Sequence, residues 1–275
     1  MGSPATSSTN VRVDVRDAAG WVTLTRPERR NALSLELMQE TIEALSLLAA
    51  RDDVRAIVIA GEGPAFSAGH DLGEMVGRDR EFYDQLFDVC TVLMETVHRV
   101  PQPVIARVHG IATAAGCQLV ASCDLAVAVD TAHFATPGVK IGLFCSTPMV
   151  PLTRAIGRKR AFEMLVSGRP IDAATAREWG LVNRVVAEHE LDAAVAELVA
   201  EVAATSRVTV RIGKEAFYAQ LELDEHGAYE LMKGVMAANA GEDDAQEGMS
   251  AFLGKRAPVW GGSDPASPGA PPRER

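Results

Sequence analysis

Apolar and polar residues alternate from Val11 to Val15 and again from Trp21 to Thr25, around Ala-Ala-Gly at 18–20. A period of two with a turn-forming centre predicts a β-hairpin. The period then lengthens. Leu35, Met38, Ile42, Leu45 and Leu48 recur at helical spacing behind Ser34, whose hydroxyl can accept an N–H of the first turn. A helix is therefore expected up to the charged break Arg51-Asp52-Asp53. The run AIVIA at 56–60 reads as a strand covered on both faces, and the GEGPAFSAGHDL that follows it as loop. Phe82, Leu86, Val89, Leu93 and Val97 predict a long amphipathic helix, stopped by Pro101-Gln102-Pro103.

A second strand, helix, strand unit follows: VIARVHG (104–110), the small-residue stretch IATAAGCQLVAS (111–122) and LAVAVD (125–130). From Pro148 to about Leu253 the pattern is almost wholly helical, punctuated by Gly157, Gly168, Gly180 and Gly241. The fold class expected is α/β. Residues 1–10 and the Pro, Gly and Ser-rich stretch 258–275 are expected to be disordered.

Composition narrows the partners. Against 27 Lys+Arg stand 37 Asp+Glu, a net charge of −10 in 275 residues, and no basic stripe runs through the chain. Such a surface repels a polyphosphate, so nucleic acid is not an expected partner. No window holds the roughly 18 apolar residues of a membrane span, and the first ten residues carry neither a basic start nor an apolar run. Cys90, Cys117, Cys123 and Cys145 sit in apolar surroundings with no C-x-x-C pair. They read as small buried hydrophobes of a reducing compartment, and a cytoplasmic placement is expected. The six histidines show no paired spacing, so no metal is expected.

Common catalytic motifs fail. There is no phosphate-binding G-x-x-x-x-G-K-[ST], and Gly61-Glu62-Gly63 lacks the third glycine of a dinucleotide fingerprint. Ala65 to Gly69 (AFSAG) is one residue from a nucleophile elbow, but Gly61, Gly63 and Pro64 separate Ser67 from the preceding strand. Two other segments carry more. SAGHDL and HGIATAAGCQ each follow a strand with small side chains that bare the backbone N–H groups. Two such N–H groups meeting on one oxygen would form an oxyanion hole; each segment taken alone is a tight strand-to-helix connection.

The segments LTRPERRNAL (24–33), PAFSAGHDLGEM (64–75), PQPVIARVHGIATAAGCQLVASCDLAVA (101–128), FATPGVKIGL (134–143), SGRPIDAATAREWGLVNRVV (167–186) and EGMSAFLGKRAP (247–258) together resemble the crotonase superfamily, the enoyl-CoA hydratase/isomerase family. Within it the chain is similar to the enoyl-CoA hydratase domain-containing protein 3-like branch. The resemblance implies a ClpP/crotonase-like spiral of ββα units over 11–200 and a C-terminal helical region over 201–257 used in trimerisation. It also implies a homotrimer or dimer of trimers, a role in fatty acid metabolism, and an acyl-CoA thioester substrate whose CoA is the only cofactor-like group.

Carried onto this chain, the family's oxyanion-hole N–H groups are those of His70 and Ala115. Its CoA contacts suggest Arg29, Arg30, Ser67, Ala68, Leu72 and Lys255. The family's pair of catalytic glutamates falls on Gln118 and Gly138. Neither can donate or accept a proton as a carboxyl group does, so the nominal activity is that of an enoyl-CoA hydratase, a lyase, without its acid and base. Two alternatives stand beside it. One is decarboxylation of malonyl-type CoA esters through His70, since a site without carboxylates suits a substrate bearing its own; the tyrosine of such enzymes falls near Phe144. The other is a non-catalytic acyl-CoA-binding subunit.

Overall fold

The computed structural model describes residues 10–261. In chain order the elements are β1 (Val11–Arg16), β2 (Ala19–Leu24), α1 (Leu35–Ala49), β3 (Ala56–Gly61), β4 (Ala65–Ser67), α2 (Leu72–Met75), α3 (Arg80–Arg99), β5 (Val104–Val108), β6 (Ile111–Thr113) and α4 (Ala115–Ser122). They continue with β7 (Leu125–Val129), β8 (His133–Ala135), α5 (Met149–Ile156), α6 (Arg158–Ser167), β9 (Ile171–Asp172), α7 (Ala173–Trp179), β10 (Arg184–Val186), α8 (Leu191–Ala203), α9 (Arg207–Gln220), α10 (Glu225–Ala240) and α11 (Asp243–Leu253).

The hairpin turns on Asp17 and Ala18, both at positive φ, so its centre lies one residue earlier than Ala-Ala-Gly implied. Ser34 caps α1 by accepting the Leu37 N–H at 3.2 Å. The β-branched run 56–60 becomes β3, paired parallel on both sides and buried on both faces, which is why it lacks alternation.

One sheet has the order β1-β2-β3-β5-β7-β10, parallel throughout except for β1; the other runs β4-β6-β8-β9, parallel except for β9. Each long strand of the first sheet (β3, β5, β7) is followed by a short strand of the second (β4, β6, β8) and then by helix. Equivalent strands of successive turns pair with each other, which makes the chain a spiral of ββα units. Two sequence expectations fail for the same reason. GEGPAFSAGHDL is not all loop, because Ala65–Ser67 is β4, and 111–122 is not one helix, because Ile111–Thr113 is β6. Three-residue strands are too short to show periodicity, and only pairing with the next turn defines them. β9 and β10 likewise interrupt the stretch expected to be helical.

Contacts divide the chain into two compact units, parted between Ala200 and Glu201. In the second, Ser206 caps α9 and donates to Asp244 at 2.6 Å, while Asp244 also accepts the Gly261 N–H at 2.8 Å. The Trp260 indole donates to the Ala204 carbonyl, and the Val259 N–H to Glu247. Residues 259–261 are therefore fixed, a correction to a disordered tail beginning at 258. Asn10 is fixed too, by Glu40. The remainder of the two terminal expectations, 1–9 and 262–275, lies outside the described residues. Among those described, no helix is long and apolar enough to cross a membrane.

The Arg256 guanidinium, followed by the Val259 N–H, holds the Glu247 carboxyl down at about 2 against an ordinary 4.5. A folded-state value below the unfolded one means that this clamp contributes fully above 4.5 and is lost as pH falls through 2. Glu247→Gln is expected to lower the urea midpoint at neutral pH, with the difference from wild type shrinking as pH falls from 4.5 to 2; a difference that does not change with pH would show that the ionised carboxylate contributes nothing.

Candidate functional site

The site is assembled on a buried amide. Asn31, at φ 52°, accepts the Arg26 N–H at 3.0 Å and donates to the carbonyls of Glu62 and Ala65 at 2.9 and 2.8 Å. Its own carbonyl accepts the Ser67 hydroxyl at 2.8 Å. Arg26 reaches the Ala32 carbonyl and, at 3.1 Å, the Asp71 carboxylate, which also caps α2. The Ala68 N–H donates to Arg30, the Leu33 N–H to Gly69, and the Asp71 N–H to Leu33. These bonds strap 26–33 to 65–71. Because Leu33 pairs with the residues on either side of His70, the His70 N–H faces away from it, as parallel pairing requires.

The second loop meets the first backbone to backbone. A Cβ on Gly116 would lie 2.3 Å from the Ser67 carbonyl oxygen, and one on Gly69 would lie 2.7 Å from Ala114 Cβ and 3.2 Å from the Ala115 nitrogen. Only glycine permits either approach. Ala115 opens α4, where N–H groups have no partner inside the helix and carry the positive end of its dipole. Ahead of it Ala114 is held at φ 50°, ψ −120°, a conformation costly for any residue with a Cβ. Its N–H donates to Ala135 at 2.8 Å, and Thr113 donates from its hydroxyl to Ala68 at 3.1 Å.

His70 and Ala115 line one cavity of about 790 Å³, together with Phe87, Gly138, Lys140 and Cys145 among others. The lining is mostly apolar and includes no Asp or Glu. The His70 ring stands edge-on to Phe87, with centroids 5.5 Å apart. Both its ring nitrogens are buried without a hydrogen-bond partner among the described residues. Burial lowers the imidazole's pKa below its usual value and favours its neutral form, while the Leu33 backbone opposes this.

Several expected site residues are placed elsewhere. Gln118 does not line the cavity; it is buried, and the Cys90 thiol points at its Oε1. Gly138 does line it, but a Cβ there would lie 2.1 Å from the Leu143 carbonyl oxygen, so the wall has closed onto the glycine. Ser67 is fully buried with its hydroxyl committed to Asn31, which removes that side chain both as a CoA contact and as a nucleophile. Ala68 and the half-exposed Leu72 line the cavity; Arg29 and Arg30 are exposed on the strapped loop. Lys255 is an exposed residue of the second unit, at φ 51°. Glu74, the nearest spare carboxylate in sequence, accepts the Leu35 N–H at 3.1 Å and serves the start of α1.

The sequence reading missed Asn31, Arg26 and Ala114. Asn31 lies within the quoted RPERRNAL, but nothing in the residue type announces a buried clamp. Among the described residues no cluster of three or more His, Cys, Asp or Glu could hold a metal ion.

The profile of the Enoyl-CoA hydratase/isomerase family matches residues 15–263. The Rattus norvegicus protein named enoyl-CoA hydratase domain-containing protein 3, mitochondrial, is 45% identical over 258 residues, covering 94% of this chain and 85% of its own. The crystal structure of an enoyl-CoA hydratase from Mycobacterium smegmatis is 50% identical, with a TM-score of 0.89 over 91% of this chain and 98% of that one. The crystal structure of human enoyl coenzyme A hydratase domain-containing protein 3 is 45% identical, with a TM-score of 0.89 over 91% of this chain and 100% of that one. The rat relative's name places it in mitochondria, and this finding overturns the cytoplasmic expectation.

Two substitutions test the loop contact with opposite signs. Gly116→Ala drives a Cβ into the Ser67 carbonyl and is expected to cost about 1–3 kcal/mol in urea denaturation. Ala114→Gly releases strain of about 1–3 kcal/mol against roughly 0.5–1 kcal/mol for glycine's extra freedom when unfolded, a net gain of about 1 kcal/mol. A destabilised Ala114→Gly would contradict the strain.

Proposed function

The chain belongs to the enoyl-CoA hydratase/isomerase family, and on that premise we propose that it binds an acyl-CoA thioester and polarises the thioester carbonyl through the N–H groups of His70 and Ala115. The observation that carries this reading is the abutment of the two loops at Gly69 and Gly116, with the next residue of one loop, His70, and the preceding residue of the other, Ala115, both lining one mostly apolar cavity. Such donors stabilise charge as it develops on the oxygen, about 3 kcal/mol for each, and because they are backbone groups the side chains at 70 and 115 are free to vary. The apolar wall suits the acyl group. Ala68 and Leu72 and the exposed Arg29 and Arg30 are the proposed CoA contacts, and CoA enters as part of the substrate with no further cofactor. The assembly is a homotrimer or dimer of trimers, and the site belongs to fatty acid metabolism.

Ordinary hydration needs a group to activate water and another to deliver a proton, each contributing about 10²- to 10⁴-fold. Gln118 is away from the cavity and Gly138 has no room for a side chain, so the site stabilises an enolate without the family's carboxylate pair. Bound butyryl-CoA is expected to show its thioester carbonyl stretch moved to lower frequency, while crotonyl-CoA is hydrated orders of magnitude more slowly than by ordinary hydratases. Binding with an unshifted carbonyl would place the thioester outside the two N–H groups, and rapid hydration would mean that another group serves as acid and base.

A second reading is favoured by the carboxylate-free wall and the neutral, unpartnered His70 ring. A malonyl-type thioester carries its own carboxylate, loses it as CO₂, and leaves the same enolate on the same oxygen. Release of CO₂ from such an ester, reduced in His70→Gln, is the expected result on that reading; binding of acyl-CoA with neither CO₂ release nor hydration would leave a non-catalytic binding subunit.

A further inference from the structure

The close approach of the two loops requires glycine at 69, and the same residue leaves the backbone there free to turn. The His70 N–H belongs to the 69–70 peptide, so a rotation of that peptide about Gly69 would put a carbonyl oxygen where the donor stands. Ala115 faces no such hazard, because the carbonyl of its own peptide, that of Ala114, accepts the Gln118 N–H at 3.0 Å in the first turn of α4. The His70 donor depends instead on bonds from neighbouring segments. The Leu33 N–H donates to the Gly69 carbonyl at 2.7 Å, and in a trans peptide this turns the His70 N–H the opposite way. The Ser67 hydroxyl holds the other end of the glycine, accepting the Gly69 N–H at 3.3 Å while it donates to the Asn31 carbonyl at 2.8 Å. One buried side chain thus ties 31–33 to 67–69, and the Asn31 amide, bonded to the carbonyls of Glu62 and Ala65, keeps the segment that presents Leu33 from moving off.

We propose that Ser67 and Asn31 are positioning residues for the His70 donor, holding the 69–70 peptide in the orientation that makes its N–H half of the oxyanion hole. Neither side chain touches the substrate; both act through the peptide that does. A donor fixed before the substrate arrives stabilises the developing charge without a reorganisation step, whereas a turned peptide presents an oxygen that repels the thioester oxygen. The Ser67 hydroxyl is suited to this role by the burial that removes it from CoA and from nucleophilic attack, since no water competes for its two bonds. The inference rests on the acyl-CoA reading of the cavity.

Infrared difference spectra of bound butyryl-CoA test it, with affinity measured by calorimetry and stability by urea denaturation. Ser67→Ala removes the hydroxyl, and Asn31→Gly removes the amide while accepting the positive φ at 31. Both are expected to bind butyryl-CoA within about tenfold of wild type, the change that one hydrogen bond accounts for, yet to lose most of the downward shift of the thioester carbonyl stretch. Thr41→Ala is the structural control: it deletes another buried hydroxyl, which donates to the Leu37 carbonyl at 2.7 Å inside α1, and should lower stability with the full carbonyl shift retained. If wild type shows the shift and folded Ser67→Ala and Asn31→Gly keep it, the positioning role is overturned and the acyl-CoA reading stands. Loss of the shift in Thr41→Ala as well would trace it to general loosening and overturn the role equally. If wild type leaves the carbonyl unshifted or does not bind butyryl-CoA, both readings fall.

Discussion

The contact on which the rest of the site depends is the approach of α4 to the Ser67 carbonyl, at a distance that leaves no room for a Cβ on Gly116. It brings the start of a helix, with its unpaired N–H groups, against a loop from the preceding turn of the spiral. Gly69 repeats the condition from the other side, against Ala114 and the Ala115 nitrogen. Ala114 absorbs what strain remains, and the fixed Ala135 and Ala68 carbonyls on either side keep it from relaxing.

That contact is useful only if the loop it touches is rigid, and rigidity comes from a buried polar hub. Asn31 uses its side-chain carbonyl, its amide and its main-chain oxygen on four partners in three segments, so each polar atom removed from water is repaid by a hydrogen bond. The Arg26–Asp71 pair closes the same strap and is largely shielded from water. Removing one member would leave the other charge without its partner, which costs more than the intact pair contributes.

The cavity between these loops is defined as much by what has been withdrawn from it. Glu74 and Asp71, the acidic residues of the neighbouring helix, are committed to the Leu35 N–H and to Arg26. The wall from Gly138 to Cys145 has closed onto the glycine and brought a thiol where a longer side chain would reach. What remains is an apolar space with a neutral imidazole and a thiol, and two backbone donors beside them. Lys140 is the charged side chain of that lining, and no carboxylate is there to move a proton.

The long elements and their caps are legible in the chain alone. The β-branched run at 56–60, the helical spacing from Leu35 to Leu48 and the capping Ser34 are local signals, set by periodicity and side-chain hydrogen bonding, and they reappear as β3, α1 and its cap. Gln118 and Gly138 are legible as residues without a carboxyl group because that is a property of the residue itself. Tertiary structure decided everything that depends on another segment. β4 and β6 exist only through pairing between turns, Asn31 becomes a hub only because 62–67 surrounds it, and Ser67, exposed-looking in its small-residue loop, is buried by that same clamp. Whether Gln118 faces the cavity or Cys90, and whether sulfur fills the place beside Gly138, turn on close contacts between segments distant in the chain, and no local pattern encodes such a distance.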